Sequence, residues 1–228
     1  MKGLFIVLTL SYLALSHDLW IEKWGDAYVL YYGHIQPRAG EESKIAYSPE
    51  NLLRFECLDG EGKVLKATVD KGYPAKLRGN CSLLQAEFSS GYWTKTVSGT
   101  KNLPKDKVSG ALEGWLSLEV VRRVERWNSN MAKALTEGLE LVLLEDPSKL
   151  RMEQKFSVGV YYGGKPLKDV TVSHNGRVVG TTDEGGRINL RIRSPGLQHL
   201  SVSYREKGDG VKADYIVRTF NLVFEVGR

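Results

Sequence analysis

Apolar and polar residues alternate with a period of two in short stretches of this chain, as at 156–162 and 170–174, the spacing that places every second side chain on one face of a strand. The first strand-like runs are Asp18-Leu19-Trp20-Ile21-Glu22-Lys23-Trp24 and residues 27–34, Ala-Tyr-Val-Leu-Tyr-Tyr-Gly-His, which are more continuously apolar. Gly25-Asp26 lies between these two runs, which are rich in aromatic and β-branched residues. A two-residue turn containing glycine predicts a hairpin. His17 stands eight residues before the turn and His34 eight after it (25 − 17 and 34 − 26). In a two-residue hairpin those positions face each other, with both side chains on the same face.

Further strands are expected at residues 52–58, 64–69 and 82–88, with Asp59-Gly60-Glu61-Gly62 turning between the first two. Gly91-Tyr92-Trp93-Thr94-Lys95-Thr96 continues as strand or loop, and residues 97–110 read as a surface loop. Residues 112–135 are ambiguous. Val120, Val121, Val124 and Trp127 fit helical spacing, but the valines resist a helix. Asn128-Ser129-Asn130 is a cap for a short helix over 131–137, which Gly138 would stop. Residues 139–144 read as a buried strand, broken by Glu145-Asp146-Pro147-Ser148. Beyond that break, short strand-like runs at 156–162, 170–174, 178–181, 188–192, 200–204 and 219–226, the first two alternating, are separated by Gly163-Gly164, Asn175-Gly176 and Asp183-Glu184-Gly185-Gly186. The expected class is all-β, as two β-sandwich domains over 17–146, with its short helical segment, and 147–228.

Residues 1–16 read as an address label. Met1-Lys2-Gly3 is a charged start, 4–15 is almost wholly apolar, and Ala14-Leu15-Ser16 offers small residues around a cut. This is the pattern of a secretory signal peptide, with an uncleaved anchor as the competing reading. The apolar run is shorter than the roughly 20 residues of a membrane span. Processing would make His17 the first residue, and the chain would be expected in the periplasm. Its 32 Lys and Arg against 27 Asp and Glu leave a net charge of +5, but both signs are scattered and no basic block tracks phosphates. Nucleic acid is therefore not an expected partner. Export also changes the meaning of Cys57 and Cys81: an even pair in an oxidising compartment favours a disulfide over a metal site, with two free buried thiols as the alternative.

Gly164-Lys165-Pro166-Leu167, Val170-Thr171-Val172, the run from Thr181 to Arg187, and Ser194-Pro195-Gly196 resemble the prealbumin-like or carboxypeptidase-regulatory β-sandwich modules. Those modules act as spacers or binding supports. Over most of its length the chain also resembles a bacterial periplasmic family of unknown function. The carrying residues are His17-Asp18-Leu19-Trp20, Tyr31-Tyr32-Gly33-His34, residues 91–96, Ala132-Lys133-Ala134-Leu135, Leu144-Glu145-Asp146-Pro147, Gly164-Lys165-Pro166-Leu167 and Thr182-Asp183. That family is associated with nickel and cobalt uptake, as NikK/NikM-type components of energy-coupling-factor transporters. The resemblance implies metal-ion transporter subunits of the inner membrane as partners.

Cleavage after Ser16 would give His17 a free α-amine beside its own imidazole, a chelating pair for Ni(II), Co(II) or Cu(II). His34 would supply a second ring. The arrangement resembles the histidine brace of copper proteins. Asp18 and His199 are further candidate ligands, though strand alternation points Asp18 away from His17. His174, before the Asn175-Gly176 turn, is expected to be exposed and structural. Trp20, Trp24, Tyr28, Tyr32 and Trp93 read first as core and second as a carbohydrate-stacking face. No nucleophile elbow, H-E-x-x-H or phosphate loop occurs. The leading expectation is a non-enzymatic, exported accessory protein that binds a divalent transition metal, nickel or cobalt. A carbohydrate-binding or adhesion module of the envelope and a copper histidine-brace oxidase are the alternatives.

Overall fold

The structure, a computed structural model, describes residues 17–227. The expected signal peptide, and with it the cut before His17, lies outside the described residues. The chain is all-β. Strand β1 is Asp18–Trp24, β2 Ala27–Gly33, β3 Leu52–Leu58, β4 Val64–Leu65, β5 Thr68–Asp70, β6 Lys76–Arg78, β7 Leu83–Thr96, β8 Gly99–Lys101 and β9 Glu113–Val124. The second half adds β10 Glu140–Leu143, β11 Lys155–Tyr162, β12 Lys165–Pro166, β13 Thr171–His174, β14 Arg177–Thr181, β15 Arg187–Arg191, β16 Gly196–Lys207 and β17 Tyr215–Val226.

Three sheets stack in layers. The central sheet runs β14-β13-β16-β17-β9-β7-β3-β4, with β8 also on β7. One of its faces carries the sheet β1-β2-β6-β5, and the other carries β10-β11-β12 with β15. Strand alternation explains both cores. Leu84, Ala86, Phe88, Val121 and Val223 pack against Leu19, Ile21, Leu30 and Leu77 of the first outer sheet. Leu83, Val124, Phe220, Leu222 and Phe224 point the other way, against Leu141, Leu143, Phe156 and Val158. A fully buried side chain of this size contributes about 1.5–3 kcal/mol.

The break at residues 145–148 carries a short 3-10 turn, Pro147–Lys149, and hydrogen bonding crosses it. Strand β10 before it pairs with β11 after it, Leu143 opposite Val158. Strand β9 runs parallel to β17, from Trp115 opposite Tyr215 to Arg123 opposite Val223. Residues on both sides of position 146 therefore share a sheet and a core.

One ambiguity is resolved and two local expectations are corrected. The ambiguous stretch after Leu112 is strand β9, as its valines favour. The helix expected over 131–137 is a single 3-10 turn, Ser129–Ala132, whose Asn128 side chain accepts from the Asn130 N–H. Helix does not continue because Glu140 draws the chain toward itself. Its carboxylate accepts from the Leu135 N–H at 2.7 Å and the Thr136 hydroxyl at 2.9 Å. The strand expected over 64–69 divides into β4 and β5, which belong to different sheets.

Cys57 and Cys81 form a disulfide, with Cα atoms 5.1 Å apart. It ties β3 to the segment leading into β7, already its hydrogen-bonded neighbour. Deeper in the molecule Arg122 and Glu140, both almost fully buried, form an ion pair at 2.7 Å. Gln85 accepts from the same guanidinium. Removing one member of such a pair strands the other charge. Glu140→Ala should therefore cost about 3–5 kcal/mol, and loss of the disulfide about 2–4 kcal/mol. Urea denaturation of both variants checks this; a Glu140→Ala loss below about 1 kcal/mol, the range of an exposed pair, contradicts the assigned role.

Candidate functional site

Gly25 takes a left-handed φ of 59° at the first turn position, and Trp24 closes the hairpin opposite Ala27. The ladder then runs outward without a shift to Asp18 opposite Gly33. His17 and His34 are the next residues on each arm. Their ring centroids lie 5.0 Å apart, tilted by 54°. The structure thus brings together the two histidines that sequence symmetry paired.

Neighbouring groups hold this pair in place. The Tyr32 hydroxyl lies 2.9 Å from Nδ1 of His17, and the Tyr32 ring stacks on Phe88 of β7 at 4.9 Å. Gly33 has a φ of 148°, and the Ser43 carbonyl occupies the space a Cβ would need. That close approach lets the His34 N–H donate to the same carbonyl at 3.0 Å. Both histidines are half-buried. Burial and, next, the neighbouring His34 lower the His17 pKa, against the opposing pull of Asp18 and Glu41. The His17 ring is consequently neutral at neutral pH, the form that ligates metals.

Asp18 alternates away from His17, as expected. One carboxylate oxygen accepts from the Ile35 N–H at 3.1 Å, and the other lies 4.0 Å from Nδ1 of His199. His199, on β16, is brought beneath β1 but is fully buried, with Nε2 3.0 Å from the Asn221 side-chain oxygen. Burial lowers its pKa. It lies against Asp18, on the opposite side of the β1 alternation from His17. Among the described residues, no group of three or more His, Cys, Asp or Glu side chains gathers where it could hold a metal ion. His17 and His34 place two imidazole rings side by side at the rim.

His174 is not exposed. It is buried, with Nε2 2.9 Å from the Gln198 side-chain oxygen and its ring edge-on to Phe156. The reason is its pairing with Leu200 of β16, which carries it into the core face alongside Val172. The five aromatic residues do not share one face either. Trp20, Tyr28 and Tyr32 are core, whereas Trp24 is 60% exposed and Trp93 half-buried. Trp20 and Trp24 both donate to the Glu22 carboxylate.

Sequence reasoning passed over Glu119, Asn221 and the Tyr32 hydroxyl. Glu119, opposite Phe88 across the β7–β9 ladder, is buried, and its Oε2 has no hydrogen-bond partner. Burial, and then the charge of Asp18, push its pKa up to about 8. Tyr32 is raised too, by burial and by Glu119. The available signal was a single polar residue inside an apolar strand: Glu119 in Leu118-Glu119-Val120-Val121, and Asn221 between Phe220 and Leu222.

Comparison with known proteins adds a family. Residues 14–206 match the family described as Domain of unknown function (DUF4198), and the chain belongs to it. No curated protein and no solved structure matches the chain.

The buried acid and the histidines oppose each other in their effect on stability. Glu119 keeps its proton in the folded state up to about pH 8, against an ordinary value of 4.5. The unfolded state releases that proton first, so stability is lost as pH rises between those values. His17, His174 and His199 have lowered values, so their contribution is lost as pH falls below about 6.5. In Glu119→Gln, the loss of unfolding free energy between pH 5 and pH 8.5 should shrink by on the order of 3 kcal/mol. Denaturation at the two pH values measures it, and an unchanged slope would show that Glu119 titrates normally.

Proposed function

We propose that the chain is an exported accessory protein that captures a divalent transition metal ion, nickel or cobalt, and presents it to a transporter in the inner membrane. The observation that carries this reading is the pair of imidazoles 5.0 Å apart at the open end of the hairpin. Once the leader is removed, the α-amine of His17 adds a third nitrogen. An amine with a pKa of about 7.7–8.0 loses its proton readily at neutral pH. The lowered pKa of the His17 ring reduces proton competition at the same site.

The residues fit the ion as cargo rather than as a fixed cofactor. Imidazole and amine nitrogens suit Ni(II), Co(II) and Cu(II), and a half-buried rim leaves the ion within reach of a partner. Tyr32 orients the His17 ring through Nδ1. An ion chelated by the amine and that ring would take over this nitrogen, leaving the hydroxyl as a neutral neighbour. The three sheets act as a rigid support. Copper should bind most tightly in vitro whichever ion the cell delivers, so rank of affinity does not name the cargo.

Isothermal titration of Ni²⁺, Co²⁺, Cu²⁺ and Zn²⁺ into protein starting at His17 tests the reading. Affinity should fall more than about tenfold in His17→Ala, in His34→Ala and in protein carrying an extra N-terminal Met, beyond the lower limit for loss of a ligand's outer support alone. It should also weaken as pH drops from 8 to 5.5 and the nitrogens protonate. Unchanged affinity in both His17→Ala and the Met-extended protein would refute the site.

A further inference from the structure

Strands β7, β9 and β17 extend past the region covered by the β1–β2 hairpin. The side of β9 that carries Glu119, Val121 and Arg123 faces the hairpin, where the Arg123 guanidinium donates to the Ile21 carbonyl. Ser117 and Trp115 continue that side by alternation. The register shift between Phe88 and Gly91 turns β7 so that Trp93, rather than Tyr92, lies opposite Trp115. On the other flank Tyr215 is opposite Trp115, and Lys207 opposite Tyr215. Cross-strand partners share a face. The result is one row across four strands: Lys207, Tyr215, Trp115 and Trp93. Both tryptophans are half-buried and Tyr215 is 39% exposed, so this part of the face is not sealed as core.

A cleft of about 480 Å³ adjoins the row, lined by Lys95, Leu112, Glu113, Asp214 and Tyr215. Its polar groups carry both signs and are held in position. Asp214 accepts from Lys105 at 2.7 Å and from the Gly114 N–H at 2.8 Å. Arg205 lies 3.6 Å from Glu113, with its guanidinium 5.8 Å from the Tyr215 ring centroid. Trp93 donates its indole N–H to the Ser90 hydroxyl at 3.0 Å, which fixes the ring at that end.

We propose that the Tyr215–Trp115–Trp93 row and the adjoining cleft form a carbohydrate-binding surface for a neutral polysaccharide. Neighbouring strands are about 4.8 Å apart, so three aromatic residues span about 10 Å, room for about two sugar rings. The C–H face of a sugar carries slight positive charge and stacks on the negative face of an indole or phenol. Sugar hydroxyls both donate and accept. Glu113 and Asp214 supply acceptors, and Lys95, Lys207 and Arg205 supply donors. A nucleic acid strand would also stack, but carboxylates lining the cleft oppose a phosphodiester backbone. This surface does not depend on the metal reading, because none of its residues is a proposed ligand.

Affinity electrophoresis of the full chain through gels containing xylan, glucomannan, mixed-linkage β-glucan or soluble starch tests it, with tryptophan fluorescence titrated against the matching oligosaccharides. At least one polysaccharide should retard the protein. Trp115→Ala should weaken that binding at least about tenfold, Tyr215→Ala should weaken it less, and Trp115→Phe should restore part of it. Chelator and His34→Ala should leave it unchanged. Unaltered thermal unfolding of the variants separates lost binding from lost folding. The proposal is overturned by any one of three results: no retardation and no fluorescence change with any of these glycans, glycan binding that survives Trp115→Ala, or a strip that binds only single-stranded DNA or a second copy of the chain.

Discussion

The parallel pairing of β9 with β17 is the constraint on which the architecture rests. Parallel neighbours cannot be joined by a tight turn and need a long crossover. Here the crossover is residues 125–214, nearly the whole second half of the chain. That segment builds its own outer sheet, β10-β11-β12 with β15, and its strands β13, β14 and β16 before returning as β17. Once β17 is seated against β9, the two halves share hydrogen bonds over nine consecutive pairs. The second half then packs on one face of the central sheet while the β1–β2 hairpin packs on the other.

The hairpin layer depends on that placement in turn. Strand β1 lies over β9 and β17, and its backbone is pinned from below where Arg123, itself bound to Glu125 and Glu225, donates to the Ile21 carbonyl. Buried arginine is tolerable only with such complete pairing. The same contact fixes how far along the sheet the hairpin reaches. It places His17 and His34 at the rim, above the Phe88–Tyr32 stack, and leaves the row from Trp93 to Tyr215 uncovered.

Much of this was legible in the sequence because it is local. The Gly25-Asp26 turn, the facing of His17 and His34, and the Asn175-Gly176 turn follow from residues close in the chain whose conformational demands are strong. What escaped was long-range. No local pattern says that Glu119 pairs across to Phe88, that His174 is turned inward by Leu200, or that Trp115 stands between Trp93 and Tyr215. A register shift of one residue in β7 decides which aromatic joins that row, and it is written in the packing of strands far apart in sequence. The 131–137 helix failed for a related reason: cap residues were present, but a carboxylate at Glu140, itself held by Arg122, outcompeted the helical hydrogen bonds.

Glu119, Asp18, His199 and Asn221 are the most costly feature of the interface between hairpin and sheet. A core of leucines would have sealed β1 onto β9 and β17 with less electrostatic conflict, since an unpartnered buried carboxyl oxygen costs about 1–3 kcal/mol. The polar groups also specify position. Sliding β1 by one residue would turn Leu19 and Ile21 out of the core and also take Asp18 away from His199, so the polar contact adds to the register that the apolar face already demands. The turn at Gly25-Asp26 sets His17 opposite His34, and the seam with the central sheet sets where that pair sits. The polar cluster therefore serves the rim histidines indirectly, by favouring the one alignment of the hairpin that seats the pair above Tyr32 and Phe88.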